Sequence, residues 1–157
     1  MVKKFVPDDF IIPEKLETEE FRLRMLTVDD VGKDYEAVMS SREHLRSLVS
    51  MEDRNNTWPE EKMTIEEDLE DLRRHQDEFL ERKAFAYTVV NLDESRCLGC
   101  VYIDPSEKKG IDAEVTLWAI SGELGNGLEK RLLKTIKGWV EEKWPFNNAE
   151  YPLNKME

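Results

Sequence analysis

The chain has 157 residues and a mass of 18.5 kDa, which is the size of one domain whose core needs no disulfide or metal staple. It has 23 Lys and Arg against 35 Asp and Glu, a net charge of −12, which disfavours nucleic acid and anionic membranes as partners. No run of about 20 apolar residues occurs, so we expect no membrane-spanning helix. The N-terminus has no apolar stretch typical of a signal peptide, which favours a cytoplasmic protein.

Residues 1–20 are predicted to form an N-terminal arm ahead of a single domain at 21–157. Pro7 and Pro13 exclude a regular helix or a central strand in the arm, so we expect it to lie extended across the domain. The apolar residues available to anchor it are Phe5, Val6, Phe10 and Ile11.

The domain begins with a strand and a helix. Residues 21–26 alternate apolar and basic side chains, as half-buried strands do. Thr27 is a helix cap and Asp30 an acid in the first turn, so a helix is predicted at about 28–41.

A second helix follows a long polar segment. Residues 42–58 are predicted to be mostly loop, with a possible helical turn near His44 and loop signals at Trp58-Pro59. The capping box Thr64-Ile65-Glu66-Glu67 then begins an amphipathic helix that reaches Lys83.

Three strands, a helix and a final short strand complete the pattern. The third of these strands and the helix are separated by a glycine loop at 121–127, and the third strand, the helix and the final strand make a strand–helix–strand unit. A parallel crossover of the final unit gives a mixed sheet with helices on both faces. In chain order, these elements are predicted at 84–90, 96–103, 113–120, 128–144 and 148–151.

Three stretches of this pattern carry a family resemblance. They are Leu23 to Asp30, then Leu98-Gly99-Cys100-Val101, and then Ala113 to Ile120 with the glycine loop and helix behind it. In order and spacing they resemble the first strand, the third strand and the acyl-CoA motif of the GNAT superfamily of acyl-CoA-dependent N-acetyltransferases. The resemblance implies an α/β GNAT-like fold, a mixed β-sheet flanked by helices that lacks the family's C-terminal helix and last strands.

The resemblance also implies that acetyl-CoA is the co-substrate. In this family the backbone at the end of the fourth strand holds the pantetheine arm, and the following loop holds the pyrophosphate, where free amides and the helix dipole favour an anion. The matching residues here are Trp118, Ala119, Ile120, Leu124, Gly125, Asn126, Gly127, Leu128, Glu129 and Lys130.

The glycine loop departs from the family pattern at two positions. Leu124 stands where relatives carry Gln or Arg, and Glu129 where they carry Gly or Ala. A carboxylate at Glu129 suits the helix dipole but would repel a pyrophosphate. The cations that would compensate for it are Lys130, Arg131 and Lys134.

Glu114 is the candidate catalytic residue. In some branches of the family, a glutamate in the matching Ala-Glu-Val setting is the general base that takes a proton from the substrate ammonium through water. The alternative is a strand carboxylate that faces a solvated cleft or pairs with a cation. The family's usual acid, a tyrosine on a later helix, has no predicted counterpart, since Tyr151 lies in the strand-like tail.

The cysteines and histidines are interpreted as structural or surface residues. Cys97 and Cys100 fall inside a predicted strand, where residues three apart face opposite sides, so we expect no metal and no redox site. His44 and His75 lie singly on polar helical segments and are expected at the surface.

Two functions of different classes remain open. One is transfer of an acetyl group from acetyl-CoA to a small-molecule or peptide amine, which the setting of Glu114 favours. The other is a non-catalytic binding module that has kept the fold, which the altered loop favours. The strand at 148–151 leaves an edge that either the arm or a second copy would cover, so we expect a monomer or a homodimer.

Overall fold

The computed structural model describes residues 4–48, Pro59 and 61–152. Its strands are Lys15–Glu17 (β1), Arg22–Met25 (β2), Phe85–Val90 (β3), Cys97–Pro105 (β4), Ala113–Ala119 (β5) and Ala149–Glu150 (β6). Its helices are Val31–Ser40 (α1), Arg42–Ser47 (α2), Ile65–Leu80 (α3) and Leu128–Lys143 (α4), with 3-10 turns at Val28–Asp30 and Ser121–Glu123. The segment predicted as mostly loop thus begins with α2, and Trp58 lies outside the described residues.

The six strands form one sheet in chain order, from β1 at one edge to β6 at the other. The pairs from β1 to β5 are antiparallel, and β6 is parallel to β5. This confirms the predicted mixed sheet with a parallel final unit. None of the described helices combines the length and the apolar character that a bilayer span requires.

Local sequence signals begin the helices where they were predicted. Thr64 Oγ1 accepts the Glu67 N–H at 3.2 Å, and Glu67 Oε1 accepts the Thr64 N–H at 3.1 Å. At the first helical turn, the Asp30 carboxylate accepts the Thr27 N–H at 2.9 Å. These bonds satisfy amides that a helix start leaves without partners.

One face of the sheet is apolar and packs on α4. Alternate strand residues share a face, and on this face they form the main core with the inner side of the helix. Trp139 of α4 meets Tyr87 of β3 edge to face, with ring centroids 5.2 Å apart. The buried residues of this layer include Leu23, Tyr87, Val89, Val101, Ile103, Val115, Leu117, Leu132, Ile136, Trp139 and Val140.

The opposite face is polar, although α1 and α3 cover it. The strand registers place Thr88, Cys100 and Trp118 in one row across this face, and Ala86, Tyr102 and Thr116 in the next. Most of these side chains are buried. Buried polar groups need partners, and α1 brings the Asp34 carboxyl to Cys100 on this face.

The N-terminal arm docks on the domain through three of its four predicted anchors. Phe5 stacks between Phe85 and Phe146, with centroids 5.8 and 5.1 Å away, and Val6 and Phe10 also contact the core. Ile11 is 86% exposed, so its predicted anchoring role is wrong. The arm ends as β1, at the sheet edge opposite β6, and among the described residues no strand covers the outer edge of β6.

Candidate functional site

The candidate site lies where β5 and β6 stop pairing. Ala113 and Glu114 lie opposite Ala149 and Glu150, but β5 continues to Ala119. Beyond Glu114, β5 has no strand on that side within the described part of the chain. An extended ligand could therefore form backbone hydrogen bonds there, as a peptide adds to a sheet edge.

Hydrogen-bond alternation decides which amides face this gap. The Ile120 N–H bonds to the Leu98 oxygen at 2.9 Å, toward β4. Because backbone N–H groups alternate in direction along an antiparallel strand, the Trp118 N–H also points toward β4. The N–H groups of Ala119 and Leu117 point toward the gap. Leu117 was not among the predicted residues, although the alternation would have identified it once one hydrogen bond of β5 was known.

The glycine loop begins α4 as predicted. Gly127 is the N-cap with a φ of 83°, a left-handed conformation that glycine adopts without strain. Asn126 Oδ1 accepts the Leu128 N–H at 3.1 Å. The amides of Glu129 and Lys130 lie in the first turn, for which helix geometry provides no partner, so this turn has the electrostatic character of an anion site.

Glu129 lies across the space between this helix start and the end of β5. Its Oε2 accepts the Ala119 N–H at 2.9 Å and contacts His44 Nε2 at 2.6 Å. Trp118, Ala119 and Ile120 were the residues predicted to hold the pantetheine arm. Of these, only Ala119 has an amide that faces the gap, and the Glu129 carboxylate occupies it. The His44 side chain is partly exposed, at 16%, and nothing in the sequence indicated its contact with Glu129.

Neighbouring groups also occupy one amide and one cation near the loop that could otherwise bind an anion. Ser41 Oγ, which is buried, accepts the Ser121 N–H at 2.9 Å. Arg131 bonds to Glu20 of the arm at 2.8 Å and lowers the pKa of that carboxyl. Gly125, Asn126 and Lys130 are exposed, and Leu124 is partly buried with its oxygen bonded to the Gly127 N–H.

Glu114 lies on the polar face in a row of three carboxylates. Asp104 of β4 and Glu150 of β6 are directly opposite it in the two neighbouring strands, and opposite residues project from the same face. Lys108 Nζ contacts Glu150 Oε1 at 3.1 Å. Glu114 is partly exposed, and within the described ranges its side chain has no ion pair, so its carboxylate would attract a cationic group.

A second cluster lies in the middle of the polar face, beneath α1 and α3. Donor atoms of Asp34, Cys97 and Cys100 all lie within 4.8 Å of one another. The prediction that the cysteines face opposite sides is wrong, because β4 has a bulge. Val89 lies opposite Gly99 but Val90 lies opposite Cys97, and the extra residue turns Cys97 to the side of Cys100.

Two carboxyl groups extend this cluster. Cys100 Sγ donates to Asp34 Oδ1 at 3.5 Å, and the Asp68 carboxyl is within hydrogen-bond range of Asp34. Burial raises the pKa of Asp34 to about 7, and burial together with the Asp34 charge raises the pKa of Asp68 to about 9. The pair therefore holds at least one proton at neutral pH.

Several solved acetyltransferases have a fold similar to that of this chain. The chain is similar to the ribosomal-protein-S5-alanine acetyltransferase from Vibrio fischeri, at 19% identity and TM-score 0.61, over 80% of this chain and 66% of that one. It is also similar to an acetyltransferase from Salmonella typhimurium that modifies the N-terminal serine of ribosomal protein L7/L12. The identity is 12% and the TM-score 0.61, over 81% of this chain and 67% of that one. A third similar structure is the microcin C7 self-immunity acetyltransferase, solved with acetyl-CoA and AMP. The identity is 13% and the TM-score 0.62, over 85% of this chain and 71% of that one.

These similarities confirm the predicted GNAT fold. The chain spans about two thirds of the length of these proteins. A comparison with protein-family models gave no match, and a comparison with curated sequences gave none either.

Proposed function

We propose that the chain is an N-acetyltransferase that binds acetyl-CoA along the open side of β5 and acetylates a small-molecule or peptide amine. The observation that carries this proposal is the separation of β5 from β6 after Glu114, directly ahead of the Gly127 loop and α4. The Leu117 and Ala119 amides suit an extended pantetheine chain, and the first turn of α4 suits a pyrophosphate. The microcin C7 self-immunity acetyltransferase, a neighbour in fold, is solved with acetyl-CoA.

Binding requires Glu129 to release Ala119. In the described conformation its carboxylate would lie beside the incoming phosphates, and like charges in a partly buried site repel strongly. His44 offers the carboxylate an alternative partner, since Nε2 already lies 2.6 Å from Oε2. Rotation of Glu129 toward His44 frees the Ala119 amide.

The row of carboxylates supports the chemistry of an amine acceptor. The bound co-substrate supplies an acetyl thioester, and the acceptor must lose a proton to attack it. Glu114 would accept that proton from the ammonium through water. The Glu114 carboxylate, which has no ion pair in the described part of the chain, would itself attract a cationic acceptor, while Lys108 pairs with the neighbouring Glu150. The CoA thiolate would take its proton from solvent.

A second candidate is a binding module without catalysis. The Glu129–Ala119 hydrogen bond favours it, because an internal carboxylate already satisfies the amide that the cofactor needs. In this case the open side of β5 serves a ligand without phosphates.

Calorimetry and a thiol-release assay together distinguish the two candidates. The enzyme proposal predicts heat on titration with acetyl-CoA and release of CoA when amines are added. Binding without turnover over a panel of amines and N-terminal peptides would favour the module. A protein whose melting temperature does not change at millimolar acetyl-CoA would contradict the enzyme, because a ligand selective for the native state must stabilise it.

A further inference from the structure

We propose that Asp34, Cys97, Cys100 and Asp68 form a buried binding site for one zinc ion between the sheet and helices α1 and α3. The acyl-transfer chemistry proposed above uses none of these four residues. They come from three separate elements: Asp34 from α1, Asp68 from α3 and the two cysteines from β4.

The spacing of the donors fits a tetrahedral ion. A zinc ion bonds sulfur at about 2.3 Å and carboxylate oxygen at about 2.0 Å, so a tetrahedral S–Zn–O edge spans about 3.5 Å. The Cys100 Sγ to Asp34 Oδ1 distance is 3.5 Å. All three donors of Asp34, Cys97 and Cys100 lie within 4.8 Å of one another, so small side-chain movements would place them around one ion.

The kind of donor selects the ion. Two sulfurs with carboxylate oxygen favour zinc, a borderline-soft cation. Calcium and magnesium take oxygen ligands and would leave the thiols unused. Two thiols within one short stretch of strand face each other here only because of the bulge at Val90 and Cys97.

Asp68 supplies an independent observation. It is 1% exposed, and its Oδ2 has no hydrogen-bond partner among the described residues. A bound ion would replace the proton that Asp68 shares with Asp34. The Asp68 carboxyl shares a hydrogen bond with Asp34 but lies outside the group of donors within 4.8 Å of one another, so it becomes the fourth ligand through a side-chain rotation toward the ion.

The surroundings support such a site. Thr88 Oγ1 donates to Cys97 Sγ at 3.6 Å, a bond that would orient a ligating thiolate. Cys97 Sγ donates to the Gly99 oxygen at 3.2 Å and Cys100 Sγ donates to Asp34, so both thiol protons and the proton of the carboxyl pair must leave for solvent when the ion binds. Because the site is closed, the ion would enter during folding and would tie α1 and α3 to β4.

Cobalt is the direct probe, because Co²⁺ replaces zinc and its bond to thiolate gives a charge-transfer absorption. The full chain is unfolded in chelator, refolded with Co²⁺ and titrated with Zn²⁺. We expect one equivalent of Co²⁺ with a thiolate band that Zn²⁺ removes, and both thiols unreactive until the ion is chelated. Absence of the band would overturn the proposal. So would a Cys97–Cys100 disulfide in protein that has been purified without unfolding and kept in the same buffer.

Variants assign the ligands. Cys100→Ser should abolish the charge-transfer band or weaken binding beyond detection, and Asp68→Asn should weaken it at least about 10–100-fold. Thr116→Val is the matched control, because Thr116 is buried on the same face but is not a donor of the cluster; its affinity should not change. An unaltered band in Cys100→Ser contradicts the site.

A measurement on the unmodified chain covers the case in which a variant fails to fold. Zn²⁺ should raise the melting temperature of the refolded wild-type protein, since an ion that binds the native state stabilises it. An equal melting temperature with zinc and with chelator would exclude the site regardless of the variants.

Discussion

The carboxylate of Glu129 accepts a hydrogen bond from the backbone amide of Ala119, at 2.9 Å. This contact joins the first turn of α4 to the open side of β5, and His44 holds the same oxygen from α2. The two parts of the proposed acetyl-CoA site are therefore bridged by a side chain of the protein itself. If acetyl-CoA displaces the Glu129 carboxylate from the Ala119 amide, the chain can act as an enzyme. If it does not, the chain is a binding module.

Removal of the Glu129 carboxylate should tighten acetyl-CoA binding. A charge-assisted hydrogen bond contributes roughly 1.5–3 kcal/mol, so Glu129→Ala is expected to lower the Kd of acetyl-CoA by about 10–100-fold in calorimetry. Glu142→Ala, at an exposed position of the same helix, removes the same charge far from the loop and should leave the Kd unchanged. Equal affinities of Glu129→Ala and wild type would mean that the contact does not oppose binding.

Loss of the Glu114 carboxylate should lower the rate in a pH-dependent way. General base catalysis contributes about 10²–10⁴-fold, so Glu114→Gln is expected to reduce kcat by that factor below the pKa of the acceptor amine. The defect should shrink as pH rises and supplies free amine. Glu107→Gln, at an exposed turn, serves as the control. A loss of equal size at every pH would assign Glu114 to positioning or folding.

The buried carboxyl pair should make metal-free protein less stable as pH rises. The pKa of Asp34 is about 7 in the folded chain and about 3.9 in an unfolded one. A raised folded-state pKa gives stability that is complete below the unfolded value and is lost as pH rises through the folded one. In chelator, Asp34→Asn should therefore gain stability relative to wild type between about pH 4 and 7.

Urea unfolding at several pH values measures this difference. Asp77→Asn, on the exposed side of α3, should track the wild type across the range. If Asp34→Asn and wild type differ by the same amount at every pH, Asp34 does not keep its proton in the folded state.

The arm should stabilise the domain through its aromatic anchor. Phe5 is partly buried between Phe85 and Phe146, so Phe5→Ala is expected to cost about 1–3 kcal/mol, less than a fully buried phenylalanine. Ile11→Ala removes a residue that is 86% exposed and should stay within about 0.5 kcal/mol of wild type. Chemical denaturation that finds the two variants equal would show that the arm does not dock.

The sequence predicted those features that depend on neighbours in the chain. The Thr64–Glu67 capping box, the apolar stripe of α4 and the glycine at the start of α4 are local patterns, and each has the predicted role. The order of strands then follows from short connections and the parallel final crossover.

Features that depend on distant contacts were not accessible. His44 is 85 residues from Glu129, and nothing local to His44 indicates this partner. The bulge that brings Cys97 beside Cys100 is set by the pairing of β4 with β3. Gly99 beside the bulge reflects a different contact, since a Cβ there would clash with the Trp118 oxygen of β5.

Amide chemical shifts test the central claim most directly. In a titration of ¹⁵N-labelled protein with acetyl-CoA, the amides of Leu117 and Ala119 should shift together with those of the first turn of α4, because the ligand forms hydrogen bonds with both. Glu129→Ala should show the same shifts at a lower acetyl-CoA concentration. Saturating acetyl-CoA that leaves Leu117 and Ala119 unshifted in both proteins would contradict an acetyl-CoA site on the open side of β5.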